Sequence, residues 1–263
     1  MALKEPPPYV PGHNLLAGKS VLLTAAAGAG IGFAAATRAA EEGARGVFIS
    51  DIHEGRLSKA VDMLKEKTGL ENVHGMLANV TEEEDVQGLI QRAEQVLDGV
   101  DVLINNAGLG GTRLLVDMQD DEWQRVLDIT LTGTMRMTRA MLQRMQPRGA
   151  GVIVNNASVL GWRAQKEQSH YAAAKAGVMA LTRCSALEAA DHGVRINAVS
   201  PSIAFHEFLK KTTPEELLEE LASREAFGRA AEVWEVANVM MFLASDYSGY
   251  MTGEIVSCSS QRA

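Results

Sequence analysis

Residues 21–32 read Val21-Leu22-Leu23-Thr24-Ala25-Ala26-Ala27-Gly28-Ala29-Gly30-Ile31-Gly32. The apolar start predicts a short buried strand, and the glycines that follow predict a tight turn into a helix. Glycine lets the backbone approach a phosphate closely, and the free N–H groups of a helix N-terminus bind anions. Because this turn directly follows the first strand, it indicates a nucleotide site rather than a plain glycine-rich connection.

Strands and helices alternate along the rest of the chain. Apolar runs predict strands at 21–24, 46–51, 73–78, 101–105, 151–155, 194–200 and 254–257. Helical spacing predicts helices from the glycine turn to residue 42 and at 54–67, 82–97, 121–145, 171–190 and 231–244. This alternation predicts the α/β class, with a single Rossmann-type doubly wound parallel sheet of about seven strands and helices on both faces. Such sheets bind ligands at the carboxyl ends of their strands.

The composition favours a cytoplasmic enzyme. The net charge of -8 over 263 residues argues against a nucleic-acid partner or an anionic membrane. The two cysteines and six scattered histidines form no disulfide framework and no metal-ligand pattern, so no metal is expected. The N-terminus has no apolar signal core, and no stretch approaches the roughly 18 apolar residues of a membrane span. The proline-rich residues 1–17 predict an extended arm, and 18–263 predict one dinucleotide-binding and catalytic domain.

Three side chains in the middle of the chain predict an acid–base device. Tyr171 and Lys175 are four residues apart in a predicted helix and therefore share one face. A lysine ammonium nearby is expected to lower the pKa of a phenol, and a phenol can exchange a proton with an alcohol or carbonyl oxygen. Ser158 follows the apolar run Gly151-Val152-Ile153-Val154 and can hydrogen-bond that same oxygen. A packed tyrosine beside a solvated lysine is the simpler alternative for the pair taken alone.

Asp51 ends the second predicted strand, 19 residues after Gly32. A carboxylate there can accept hydrogen bonds from both ribose hydroxyls of an adenosine, and it would repel a 2′-phosphate. The glycine turn contains no basic residue to offset that repulsion. The sequence therefore predicts NAD(H) rather than NADP(H), with a solvated strand-end aspartate as the alternative.

Together these features resemble the short-chain dehydrogenase/reductase family over residues 18–260. Asn105-Asn106-Ala107-Gly108 after the fourth strand is similar to a family element, and Ser158, Tyr171 and Lys175 match its catalytic triad in type and spacing. The resemblance implies that Tyr171 is the acid/base, that Ser158 polarises the substrate oxygen, and that Lys175 binds the nicotinamide ribose. It implies cofactor contacts at Thr24, Gly28, Gly30, Ile31, Gly32, Asp51, Asn79, Val80, Asn106, Ala107, Gly108, Tyr171, Lys175, Pro201 and Ser202. It also implies a homotetramer and a substrate lid over about 202–228.

The sequence departs from the family pattern at several positions. Ala25 replaces the first glycine of the turn, which is also one residue longer, and Asn79 replaces an aspartate on the adenine side. Ser202 replaces a glycine after the sixth strand. Thr130 stands where the family has an asparagine that holds a water beside the lysine. A hydroxyl can hold such a water less rigidly, so Thr130 is a candidate relay residue, and a helix threonine bonded to a carbonyl is the equal alternative.

The substrate is expected to be a secondary alcohol or ketone. The lid segment contains apolar residues that suit a bulky apolar substrate or simply pack the lid, namely Phe205, Phe208, Leu209, Leu217, Leu218 and Phe227, together with His206. Basic residues that could meet CoA phosphates are Arg113, Arg163, Lys166, Lys210 and Lys211. The glycine turn, the segments 155–165 and 200–204, and the tail 259–263 resemble an actinobacterial subgroup that acts on bicyclic sterol remnants carried as CoA thioesters. A 3-oxoacyl-thioester reductase and a nucleotide-binding scaffold with little catalysis are the alternatives.

Overall fold

The computed structural model describes residues 5–206, Leu209 and residues 215–260. The strands are β1 Ser20–Leu23, β2 Gly46–Asp51, β3 Val73–Leu77, β4 Val102–Asn105, β5 Gly151–Asn156, β6 Val194–Pro201, β7 Ala204–Phe205, β8 Ala231–Glu232 and β9 Ile255–Cys258. The helices are α1 Ile31–Glu41, α2 Glu54–Thr68, α3 Glu83–Leu97, α4 Asp120–Leu127, α5 Gly133–Arg148, α6 Ser169–Ala190, α7 Glu215–Arg224 and α8 Val233–Ala244.

Seven of the strands form one parallel sheet in the order β3-β2-β1-β4-β5-β6-β9. The predicted doubly wound α/β fold is therefore confirmed. Strands β2 and β4 pair with opposite sides of β1, so the chain reverses its direction of growth there. A crevice at such a reversal is where doubly wound sheets bind their ligands. Strands β7 and β8 form a separate parallel pair that the sequence did not indicate.

Two apolar clusters cover the two faces of the sheet. Val21 and Leu23 of β1 belong to one cluster, with α1, α2 and α8, whereas Leu22 belongs to the other, with α3 and α5. All four residues of β1 are buried. A strand that is covered on both faces needs successive apolar side chains, which explains the unbroken run Val21-Leu22-Leu23. The buried Ser20 hydroxyl is hydrogen-bonded to Gly99 and Asp101.

The N-terminal residues lie against the end of α1. The Arg38 guanidinium donates hydrogen bonds to the carbonyl oxygens of Val10 and Pro11, and it forms a 2.7 Å ion pair with Glu42. Because both charges are buried, each needs the other as a partner. Leu16 is also fully buried, so the segment is fixed to the domain near its end. The division into an arm at 1–17 and one domain at 18–263 stays a prediction.

The predicted helix at 121–145 is interrupted. A π-helical turn, Asp128–Thr132, separates α4 from α5. The Thr134 hydroxyl donates to the carbonyl oxygen of Thr130 at 2.8 Å, just after this turn. Single π turns often occur at functional positions. None of the described helices has the length and apolar character that crossing a bilayer requires.

Candidate active site

Strand β5 and helix α6 bring the three predicted catalytic residues together. Ser158 lies two residues beyond β5, in extended backbone before a short 3-10 turn at Val159–Gly161. Tyr171 is in the first turn of α6, and Lys175 is one turn further along. The side chains of Ser158 and Tyr171 share a hydrogen bond, and Lys175 Nζ lies 5.5 Å from the centre of the Tyr171 ring. The structure therefore brings the three side chains together, and their catalytic roles stay predictions.

The charges in this group differ from the expectation. Burial raises the pKa of Tyr171 to about 12, and the hydrogen bond from Ser158 acts in the lowering direction. Burial also lowers the pKa of Lys175 to about 8. The expected lowering of the tyrosine pKa by the lysine is thus wrong, because burial penalises the phenolate and the ammonium group alike. At neutral pH the phenol keeps its proton and can donate it.

The glycine turn forms a cradle at the start of α1. Gly30 precedes the first helical residue, Ile31, in extended backbone. A side chain at Gly32 would place its Cβ 2.6 Å from the carbonyl oxygen of Ala25, so only glycine fits there. Around Gly28, in contrast, there is open space within 4 Å. The N–H groups at this helix start and the space above the turn fit a pyrophosphate.

Ala25 has a left-handed backbone conformation, with φ of +50°. Its carbonyl oxygen accepts a 3.0 Å hydrogen bond from Asn106 Nδ2. The Thr24 hydroxyl accepts hydrogen bonds from the N–H groups of Asn106 and Ala107, each at 3.0 Å. Thr24 and Asn106 therefore join the turn after β1 to the loop after β4. This contact is structural, and a nucleotide contact at Thr24 stays a prediction.

Asp51 lies buried at the end of β2 and has two hydrogen-bond donors beside it. Its Oδ1 accepts hydrogen bonds from the N–H of His53 at 3.0 Å and from Arg56 Nη2 at 2.9 Å. Arg56 is half-exposed in the first turn of α2. Arg56 is a basic residue beside Asp51 that the composition of the glycine turn alone does not reveal. The signal was its position five residues after Asp51, at the start of the next helix.

The remaining predicted cofactor residues lie at the same edge of the sheet. Asn79 Oδ1 accepts the N–H of Thr81, while Val80 packs on Gly133 of α5. Gly108 lies beside Lys175, since a Cβ built there would be 3.5 Å from Nζ. Pro201 and Ser202 lie at the end of β6, at this same edge. Their contacts with a cofactor stay predictions.

Thr130 lies in the π-helical turn and is fully buried. Its hydroxyl accepts the N–H of Leu109 at 3.0 Å and donates to the carbonyl oxygen of the same residue at 3.1 Å. The single hydroxyl proton is therefore used in fixing the loop after β4. A Cβ built at Gly110 in this loop would lie 3.7 Å from the Tyr171 ring, so the loop borders the catalytic group. The relay role of Thr130 stays a prediction, beside this observed anchoring contact.

One residue of the described part of the lid, His206, lies beside the glycine turn. The ring of His206 is 3.8 Å from the position that a Cβ on Gly30 would occupy. Phe227 is exposed, whereas Leu218 of α7 is buried. Phe208, Lys210 and Lys211 lie outside the described residues, as do residues 261–263 of the tail. Among the described residues, no group of three or more histidine, cysteine or acidic side chains could hold a metal ion.

Comparisons with known proteins show the family of the chain. The chain matches, over residues 25–260, the family described as enoyl-(acyl carrier protein) reductase. It is 60% identical over 263 residues to the (5R,7aS)-5-hydroxy-7a-methyl-1-oxo-2,3,5,6,7,7a-hexahydro-1H-indene-carboxyl-CoA reductase of Mycobacterium tuberculosis, with 99% of each chain covered. It is 38% identical over 242 residues to a 3-oxoacyl-acyl-carrier-protein reductase of Thermotoga maritima, with 92% of this chain and 96% of the relative covered. A solved short chain dehydrogenase from Mycobacterium smegmatis has a TM-score of 0.88 and 57% identity, covering 99% of this chain and 100% of that one.

Proposed function

The chain belongs to the short-chain dehydrogenase/reductase family of oxidoreductases, and from that premise we propose that it interconverts a secondary alcohol and a ketone with NAD(H) on a bulky bicyclic acyl-CoA thioester. The observation that carries the reaction type is the meeting of Ser158, Tyr171 and Lys175 at the carboxyl edge of the sheet. The glycine cradle before α1 lies at the same edge. The proton donor and the glycine turn thus lie at one edge of the sheet.

In the direction of ketone reduction, NADH when bound supplies the hydride that the carbonyl carbon receives. Ser158 donates a hydrogen bond to the carbonyl oxygen and orients it. Tyr171, which is protonated at neutral pH, gives its proton to that oxygen, so the product is an alcohol. The ammonium group of Lys175 then stabilises the phenolate that remains. In the direction of oxidation the same phenolate accepts the proton of the alcohol.

Asp51 supports NAD(H) over NADP(H), because a buried carboxylate at the end of β2 disfavours a 2′-phosphate. Arg56 weakens that repulsion without removing it, since its guanidinium is already paired with Asp51. The test is a comparison of KM values for the two cofactors at a fixed substrate concentration. A lower KM for NADP(H) than for NAD(H) would overturn this assignment.

The substrate class rests on the relative from Mycobacterium tuberculosis, whose name gives a bicyclic hydroxy-ketone CoA thioester. Relatives named as 3-oxoacyl-acyl-carrier-protein reductases are 33% to 38% identical. The exposed Phe227 and the half-buried Phe205 offer apolar surface in the lid for a ring system. Contacts between basic residues and CoA phosphates stay a prediction, and Arg113 is paired with Glu122.

The experiment is a reductase screen of the purified protein with NADH and NADPH. The substrates are a bicyclic hexahydroindene-type keto-CoA, a straight-chain 3-oxoacyl-CoA, an enoyl-CoA and the bicyclic ketone as a free acid, with Tyr171→Phe as the inactive control. We expect the highest kcat/KM for the bicyclic thioester. Better turnover of the straight-chain thioester would favour the 3-oxoacyl reductase. Nucleotide binding without turnover of any substrate would favour a non-catalytic scaffold.

We also expect a cytoplasmic homotetramer. Large apolar side chains remain exposed on α6, on α8 and on the residues that follow α8, namely Leu187, Phe242, Tyr247 and Tyr250. These side chains would be covered in a contact between subunits. Light scattering on the purified protein tests the assembly, and a monomer would contradict it.

A further inference from the structure

Lys175 is held by a residue that the catalytic pattern does not include. The lysine side chain is almost fully buried, and Nζ donates a 2.5 Å hydrogen bond to the main-chain carbonyl oxygen of Asn156. Asn156 is the last residue of β5 and is paired with Val199 of β6. The position of the ammonium group is therefore set by the end of a central strand.

The side chain of Asn156 is connected to the nucleotide turn through Asn106. Asn156 Nδ2 donates a 3.0 Å hydrogen bond to Asn106 Oδ1. Asn106 Nδ2 in turn donates to the carbonyl oxygens of Thr24 at 3.2 Å and Ala25 at 3.0 Å. Two side-chain amides thus link the backbone of the glycine turn to the strand end that holds Lys175.

The amide oxygen of Asn156 is buried and has no hydrogen-bond partner in the described part of the chain. An unpaired buried acceptor costs free energy, and an aliphatic side chain at this position would avoid that cost. The same residue also holds Lys175 directly, because its main-chain carbonyl oxygen accepts from the ammonium group. A carbonyl dipole in that position favours the charged form of the lysine.

We propose that Asn156 is a positioning residue that couples the nucleotide turn to Lys175, so that nucleotide affinity and the protonation of Lys175 depend on one amide. It acts through Asn106 on one side and through Lys175 on the other. The inference rests on the proposed dehydrogenase function. It adds a residue whose signal in the sequence was a second consecutive asparagine, after Asn155, at the end of an apolar strand.

Few titratable groups surround Lys175, so a change in its pKa can be assigned to a substitution at residue 156. Tyr171 lies on the same helix and is the titratable neighbour. The elements packed against α6 contribute uncharged groups near Lys175, namely Thr130 from the π turn and Asn156 and Ser158 from the end of β5. The carboxylates on these elements have other partners, since Glu122 of α4 is paired with Arg113 and Asp128 of the π turn with Arg136. Burial is the cause that lowers the pKa of Lys175. A change at residue 156 therefore acts on Lys175 without a competing carboxylate.

The test compares Asn156→Leu and Asn156→Asp with Asn238→Leu. Asn238 lies on α8 and also has a buried amide oxygen without a partner, so the control repeats the substitution away from Lys175. NADH and NADPH affinities are measured by fluorescence titration, and kcat/KM for ketone reduction is measured against pH. Asn156→Asp keeps the side-chain volume and carries the test if the leucine variant does not fold.

We expect Asn156→Leu to bind nucleotide about tenfold more weakly, because the link to Asn106 is lost. The high-pH limit of ketone reduction should shift down in Asn156→Leu and up in Asn156→Asp, since a carboxylate favours the lysine cation. Asn238→Leu should change neither quantity. Unchanged nucleotide affinity and an unmoved pH limit in both Asn156 variants would overturn the proposal. Wild-type protein that binds neither nucleotide would instead overturn the proposed function itself.

Discussion

The catalytic group after β5 and the nucleotide turn after β1 lie at the same edge of the sheet, yet different forces fix their residues. Tyr171 and Lys175 are one turn apart on a regular helix, so their spacing in the sequence sets their geometry. Ala25 has a left-handed backbone, and its carbonyl oxygen is bound by Asn106, 81 residues away. The first region follows from local spacing, whereas the second depends on contacts between distant segments.

Tyr171→Phe separates the two regions most sharply. The variant loses the proton donor but keeps the ring, and the ring is what packs against Gly110. We expect kcat to fall about 10³-fold, within the range of general acid–base catalysis. Nucleotide affinity should fall far less than kcat, because Tyr171 is one of many predicted cofactor contacts and the others, in the turn after β1 and at the ends of β2 and β4, are unchanged. A variant with wild-type kcat would remove Tyr171 from the mechanism.

Asp51→Ala tests whether the nucleotide side can be changed without the catalytic side. Removal of the carboxylate frees the Arg56 guanidinium to meet a 2′-phosphate. We expect the ratio of kcat/KM values to shift from NAD(H) toward NADP(H) by on the order of 30-fold. In the double variant with Arg56→Ala the gain for NADP(H) should largely vanish. A shift that persists without Arg56 would assign the phosphate contact to another residue.

Lys175 can be followed by its effect on stability. Its pKa is about 8 in the folded protein against an ordinary value of 10.5, so the unfolded chain binds more protons between these two values. The free energy of unfolding should therefore rise with pH in that window, by about 2 kcal/mol between about pH 7.5 and about pH 9.5. Urea titrations without nucleotide measure this rise.

The matched variant is Lys175→Met, in which this contribution to the rise should disappear while that of all other groups remains. Above pH 10 the raised pKa of Tyr171, about 12, acts in the opposite direction, because the unfolded chain then releases its phenol proton first. Equal pH dependence in wild type and variant would mean that Lys175 is solvated rather than buried.

The fold could be predicted from the sequence because the inner strands of the sheet, β1, β2, β4, β5 and β6, are buried along nearly all their length and therefore appear as apolar runs. Periodicity and turn residues therefore marked β1 to β6 and β9 close to their observed bounds. The π turn at Asp128–Thr132 was not predictable. A single π turn changes the hydrogen-bond pattern over one turn only, so the sequence on either side still has the apolar spacing of a helix. The pair β7–β8 was missed because each strand has only two residues.

The catalytic residues could be predicted because a strand end and one helical turn place them. The electrostatics could not, because burial depends on the packing of distant segments and it reversed the expected direction for the pKa of Tyr171. Arg56 and Asn156 were missed for a related reason. Each acts through a partner, Asp51 and Lys175 respectively, and the pairing appears only when the chain is folded.

Thr130→Val tests the two hydrogen bonds by which the Thr130 hydroxyl fixes the loop after β4, which borders the catalytic group. The variant removes both hydrogen bonds to the backbone of Leu109 at nearly constant volume, so we expect a loss of about 1.5 kcal/mol in the free energy of unfolding and a raised KM. Thr134→Val is the control, because its hydroxyl donates to Thr130 O and has no contact with the loop. Thr130→Ser should restore both quantities. Normal stability with a pH-dependent loss of kcat would instead support the proton relay.

Ala25→Gly should change the free energy of unfolding least among these variants, and it tests the backbone conformation of the nucleotide turn directly. Alanine at φ of +50° is strained by its Cβ, whereas glycine adopts this conformation freely. After the greater entropy of glycine in the unfolded chain is subtracted, we expect the variant to be about 0.5–1 kcal/mol more stable, with a Tm about 2 °C higher. Asp98→Gly, at φ of +53° in the cap after α3, is the control and should gain less, because aspartate tolerates the left-handed region better than alanine. If Ala25→Gly is destabilising, or if it weakens nucleotide binding more than about twofold, then the methyl group of Ala25 holds the turn in shape, and the strain at this position serves the nucleotide site.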